Sequence, residues 1–101
     1  MRSPDDYSDD EFEWSLVKAA LNWKDHRVAF EHAKKVFQDR FAVEYIDDRE
    51  DYGEERINRV GMCEGKLHFV TYTERGEKHR LISAREAEKD ERDDYYEQNA
   101  V

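Results

Sequence analysis

Three strand-like runs, RINRVGM (56–62), KLHFVTYTE (66–74) and KHRLISA (78–84), follow one another with only CEG (63–65) and RGE (75–77) between them. Nothing else in the chain constrains its fold as tightly. Both links are short and contain a glycine, as hairpin turns do, whereas parallel neighbours would need a far longer crossover. AVEYI (42–46) adds a strand upstream, joined through the charged turn DDREDYGEE (47–55) centred on Gly53. The expectation is a four-stranded antiparallel meander. Within its central run, Leu67, Phe69, Thr71 and Thr73 point one way and His68, Val70 and Tyr72 the other. Both sides are mostly apolar or aromatic, which predicts an internal strand covered on each face.

The flanks supply helices. Residues 1–11 are polar, hold the only proline and show no period, so they read as an acidic mobile tail. Phe12 and Trp14 suggest a brief strand, and Ser15 is a fitting N-cap for LVKAALNWKDH. There Leu16, Ala19, Ala20 and Trp23 fall at i, i+3, i+4 and i+7, the spacing of one buried helical face. VAFEHAKKVFQDRF predicts a second helix on which Phe30, Ala33 and Phe37 share a face, with Val36 beside them. Ser83-Ala84-Arg85-Glu86 fits a capping box and predicts a last helix from there, with Ala87, Tyr95 and Tyr96 as its only residues to bury. The order predicts an α+β fold: two N-terminal helices packed on a four-stranded, or slightly larger, antiparallel sheet, plus a C-terminal helix, in one domain over 12–98.

Charge is 43% of the composition and sums to -9, but it is unevenly spread. Residues 1–13 and 86–101 carry -5 each, whereas 14–85 carry +1. The body of the chain is therefore near neutral, and a polyanion is not excluded as its partner. A single cysteine, Cys63, rules out an internal disulfide. No apolar run is long enough for a membrane span, and a cytoplasmic protein is expected. The four histidines lack metal-ligand spacing, the acidic turn lacks the alternation of a calcium loop, and no phosphate-cradling glycine loop or nucleophile elbow occurs. No cofactor is expected. What remains is a set of Arg, His and Glu on and beside a sheet: His26, Glu55, Arg56, Arg75, Arg80 and Arg85. RNA cleavage without a metal needs such groups, to take the 2′-OH proton, hold the phosphate and protonate the leaving 5′ oxygen. The same arginines have a plainer use as partners for the chain's many carboxylates.

Ordered motifs sharpen this. FEW (12–14), Lys18-Ala19, Asn22, Lys24, His26 and VAFEHAKKVF (28–37) resemble the first half of the BrnT-type toxins of bacterial type II toxin–antitoxin systems. GEERINRVG (53–61), FVTYTERG (69–76), RLISAREA (80–87), Glu91-Arg92 and a following tyrosine resemble the second half. The resemblance implies a RelE-like fold, metal-independent RNA cleavage that inhibits translation, and a hetero-oligomer with a DNA-binding antitoxin of the BrnA type. On this sequence it implies catalytic roles for His26, Glu55, Arg56, Arg80 and Arg85. Lys24, Thr73, Arg75 and Ser83 are the implied RNA contacts. The chain departs from the family pattern at Arg27, where glycine is common and a left-handed cap would strain an arginine, and at Ala29, which replaces a capping Ser or Thr. The alternative reading is a catalytically inactive RelE-fold module that recognises a basic partner protein.

Overall fold

A computed structural model describes residues 5–100. Strands β1 (Asp6–Ser8) and β2 (Phe12–Ser15) lead into helix α1 (Leu16–His26), a single α-helical turn α2 (Phe30–Ala33) and a 3-10 segment, Lys34–Gln38. Strands β3 (Val43–Asp47), β4 (Arg56–Cys63), β5 (Lys66–Arg75) and β6 (Lys78–Glu86) follow, and helix α3 (Lys89–Gln98) is the last element among the described residues.

The meander β3–β6 is antiparallel throughout, as the short links require. The four-stranded antiparallel sheet is nevertheless a wrong expectation. The sheet has six strands in the order β1-β2-β6-β5-β4-β3, and it is mixed, because β2 lies parallel to β6 with Phe12 beside His79 and Glu13 beside Arg80. Strands dominate, and the two N-terminal helices shrink to one helix and one turn. Part of the stretch read as a tail is β1, which pairs with β2 and stacks Tyr7 on Trp14 at 4.3 Å between ring centroids; residues 1–4 of that stretch lie outside the described residues.

Physical reasons for the remaining departures are local. Ala29 gives α2 no side-chain cap, and the chain tightens into the 3-10 form after one turn. That segment lies hard against β4: a Cβ on Gly61 would stand 3.0 Å from Val36 Cβ and 3.1 Å from the Val36 carbonyl oxygen. The last helix does not begin at Ser83. Ladder pairing carries β6 through Arg85, opposite Phe69, and Glu86, opposite His68, and the capping box that forms is Glu88 with Glu91. The β4–β5 turn holds both Glu64 (φ 49) and Gly65 (φ 84) in the left-handed region, the backbone a two-residue hairpin of this twist demands.

The main core lies between one sheet face and the α1–3-10 layer. Trp14, Val28, Phe30, Ala33 and Val36 pack there with Val70, Tyr72, Leu81 and Ala84. A smaller cluster on the opposite face joins Val60 and Leu67 to Ala87 and Tyr95 of the C-terminal segment.

Helix α1 does not sit as its pattern predicts. Ser15 caps it as expected, its side chain accepting from the Lys18 amide, but Leu16 (48% exposed) and Trp23 (50%) are not on a buried face. Asn22, only 6% exposed, turns inward instead. Its side-chain amide donates to the carbonyls of Val28 and Ala84, both at 2.9 Å, and its Oδ1 accepts from the Ala84 amide at 3.0 Å. This pins the helix to β6 and fixes which side faces out.

Candidate functional site

Sheet register gathers most of the sequence-predicted residues on the face that α1 does not cover. Phe69 lies between Val60 and Arg85, Thr71 between Asn58 and Ser83, and Thr73 beside Arg80, which continues to Glu13. Arg56 ends the row at β3, opposite Asp47. Strand alternation puts all of these side chains on one side. Each arginine there has a partner. Arg80 donates to Asp6 (3.1 and 3.3 Å) and to Glu13 (2.7 Å), with its side chain 16% exposed. Burial opposes the charge of Arg80, but the bonds to Asp6 and Glu13 outweigh it and raise the pKa. Arg85 makes a two-pronged bond to Glu91, 2.8 Å on each side, and stacks over Phe69 at 4.3 Å. That pairing raises its pKa against the opposing effect of burial.

Arg56 is held differently. Its guanidinium stacks on Tyr52 at 4.0 Å, and Nε reaches Glu54 only at 3.4 Å. Arg75 contacts the same Glu54 at 3.3 Å. The Thr73 hydroxyl donates to the Glu55 carbonyl at 2.6 Å, so this buried threonine ties β5 to the start of β4. Ser83 lies mid-strand opposite Thr71 and caps no helix.

A second arrangement forms at the other end of the strands. The end of α1, the turn into α2 and the β4–β5 hairpin enclose a cleft of about 930 Å³. His26, His32, Lys66, His68 and Arg85 line it, together with Trp23, Arg27 and Cys63. Four carboxylates, Asp25, Glu64, Glu86 and Glu88, face the three full cations, so the lining is net -1 with neutral imidazoles and +2 with all three protonated.

Local structure sets these groups. Arg27 takes the left-handed cap conformation, φ 56 and ψ 33, and its amide closes α1 on the Trp23 carbonyl at 2.9 Å. The strain that glycine would avoid is accepted here, and the guanidinium lies 5.6 Å from the centroid of Trp23. The His68 Nδ1 stands 3.1 Å from the Lys66 carbonyl, which can only accept. Nδ1 therefore carries the proton and, in the neutral ring, Nε2 keeps its lone pair. His32 packs edge-on to His68, 6.1 Å between centroids, and approaches Glu64 at 3.6 Å. The Cys63 thiol donates to the His32 carbonyl at 3.2 Å, and burial pushes its pKa up, which leaves it protonated and a poor nucleophile.

The structure therefore divides the predicted residues. His26 and Arg85 both line the cleft, His26 from the end of α1 and Arg85 from the sheet edge, where its guanidinium is held on Phe69 and Glu91. Glu55, Arg56, Thr73, Arg75 and Arg80 lie at the opposite strand ends, and Lys24 is exposed on α1 outside the cleft lining. Sequence reasoning did not single out Lys66, and it weighed His32 and His68 only as metal ligands. The available signal was register: a hairpin at CEG puts His68 opposite Glu86, one position from Arg85. Among the described residues, no three of His, Cys, Asp or Glu converge as metal ligands, and no helix is long and apolar enough to cross a membrane.

No curated protein matches the chain. A family model does, over residues 14–91, from Trp14 at the core to the Glu91 that pairs with Arg85, and it spans both the cleft and the arginine-bearing sheet face. The chain thus belongs to the BrnT family, the ribonuclease toxins of type II toxin–antitoxin systems.

Proposed function

We propose that the chain cleaves RNA without a metal ion, at the cleft between the end of α1 and the β4–β5 hairpin. The observation that carries this reading is the meeting of His26 and Arg85, distant in sequence, in one cleft with Lys66 and two further imidazoles. The cleft's size falls within the range of sites that hold small ligands, which runs to roughly 1,000 Å³. In the proposed reaction a neutral imidazole, His26, takes the proton of a ribose 2′-OH. The 2′ oxygen attacks the adjacent phosphorus, Arg85 and Lys66 stabilise the charge that grows on the phosphoryl oxygens, and a protonated imidazole of the cleft gives its proton to the departing 5′ oxygen. The products are a 2′,3′-cyclic phosphate and a 5′-hydroxyl. Arg85 belongs to both arrangements, so Ser83, Arg80 and Arg56 extend from it as contacts for flanking nucleotides, with Thr73 holding Glu55 in place beneath them, Arg75 at the far end and Lys24 near the cleft mouth. Cleavage of RNA in the cytoplasm would inhibit translation, and a BrnA-type, DNA-binding antitoxin would neutralise it.

One observation favours the second reading, a module of this fold without catalysis that recognises a basic partner. Arg80 and Arg85, the two strongest candidates for phosphate contacts, are both engaged by carboxylates. Purified chain incubated with RNA in EDTA separates the two. The proposed reaction gives cyclic-phosphate ends and a bell-shaped pH dependence, and His26→Ala reduces the rate about 100-fold or more. Parent chain that leaves RNA intact at every concentration points to the binding module. Cleavage unchanged in both His26→Ala and Arg85→Gln, each with a normal melting profile, removes the cleft assignment.

A further inference from the structure

Helix α1 displays outward the residues that a helix of its composition ordinarily buries. Val17 is 63% exposed, Leu21 52%, Trp23 50% and Leu16 48%. At 100° per residue these four and Ala20 cover a continuous arc of roughly 160°, wider than the stripe a surface helix needs for its own core. The triple hydrogen bond of Asn22 to Val28 and Ala84 prevents the helix from rolling this arc inward. Lys24 lies within the arc, Arg27 stands over its Trp23 edge, and Lys18 lies beyond it. Over 16–27 the chain therefore has three cations against one carboxylate, Asp25, although the whole carries -9. An exposed arc that is apolar except for Lys24, with polar borders, marks an interaction surface, and its local positive charge specifies what fits.

We propose that this outer face of α1 is where the antitoxin docks, through an amphipathic helix with an apolar edge bordered by Asp and Glu side chains. The inference rests on the family's antitoxin partnership, and it adds the surface and the chemistry of the segment that covers it. Trp23 belongs both to the arc and to the cleft wall beside His26. A helix seated on α1 therefore reaches the edge of the cleft, and occupancy of one surface obstructs the other. A second copy of the chain is a poorer occupant. Its acidic helix is α3, and α3 on α1 is a head-to-tail contact that propagates rather than closes.

The test uses the cognate antitoxin co-expressed with the chain and purified as a complex, then separated for titration. Val17→Glu combined with Leu21→Glu leaves RNA cleavage by the free chain and its melting temperature unchanged and weakens antitoxin binding about 30-fold or more. Parent affinity falls with added salt. In the parent complex, amides of 16–24 gain protection from hydrogen exchange, a readout that needs no substituted chain. The proposal is overturned if the double variant binds the antitoxin like the parent or if those amides are unchanged. It is also overturned if the free parent sediments as an oligomer that the double variant dissolves. Binding is measured independently of cleavage, so a chain that cuts no RNA leaves the surface assignment standing, and the reverse also holds.

Discussion

Helices α1 and α3 lie on opposite faces of one sheet and hold it by means that their compositions do not suggest. The first has ample apolar side chains and faces most of them to solvent, and its one fully buried residue is Asn22. The second is made almost wholly of charges, yet it docks. Tyr95 is 5% exposed, packs in the smaller cluster and donates to Asp39 at 2.7 Å. Around it Arg85 grips Glu91, Arg92 donates to the Ala87 carbonyl at 2.7 Å, and Asn99 donates to the Phe41 carbonyl at 3.0 Å. In both helices a polar pin decides the attachment. The apolar side chains of α1 are consequently left for another purpose.

The sharpest way to break this comparison is Asn22→Ala. It strands a buried amide and two buried carbonyls at once, and a loss of about 3 kcal/mol or more in urea unfolding is expected. A loss below about 1 kcal/mol would mean that α1 is held by something other than its pin. Tyr95→Phe removes one hydroxyl that bonds the half-buried Asp39 and should cost about 1 kcal/mol, seen as faster amide exchange in α3 with little change in β5.

The same pin makes α3 sensitive to pH at both extremes. Burial, reinforced by the bond to Asp39, raises Tyr95 from its ordinary value near 10 to about 12. A raised pKa favours the protonated form in the fold. The contribution is therefore complete below pH 10 and lost as pH climbs towards about 12. For Asp39 burial pushes upward, but the Met62 amide, Tyr95, the Phe41 amide and Arg59 together bring it below the usual carboxylate value. Its contribution is present above that usual value and disappears as pH falls through the lowered one. Urea unfolding followed across both limbs in parent and Tyr95→Phe checks the sign, because the substituted chain should lose less stability than the parent as pH climbs towards about 12. The smallest effect belongs to the outward arc. Leu21→Ser should change stability by no more than about 0.5 kcal/mol, because the side chain supports nothing in the isolated chain.

The parts legible in the sequence are those where local pattern and tertiary packing agree. Alternation and glycine-bearing links place β4, β5 and β6, and Ser15 marks the start of α1. The parts that were not legible are those where a distant partner overrides the local pattern. Strand β1 has no hydrophobic period and exists because β2 is beside it, with Tyr7 on Trp14 and Asp6 on Arg80. The box at Ser83 loses to ladder pairs with β5, and the apolar spacing in α1 loses to the three bonds of one asparagine. The candidate site shows the same division. His26 and Arg85 could be named from their chemistry, but only the fold brings them to one cleft and adds Lys66. Arg80, with no evident structural partner near it in sequence, has two carboxylates that arrive from the opposite terminus.

The parallel pairing of β2 with β6 also governs when the molecule can exist at all. Strand β2 can find its parallel neighbour only after four further strands' worth of chain has been made, because that neighbour is Lys78–Glu86. Closing so long a loop is entropically the late event of folding. The cleft walls come from the end of α1, the β4–β5 hairpin and Arg85, so they are complete only when that strand has seated. The cleft therefore forms late, only once β6 has docked against β5 and β2, and a partly folded chain presents none of its assembled walls.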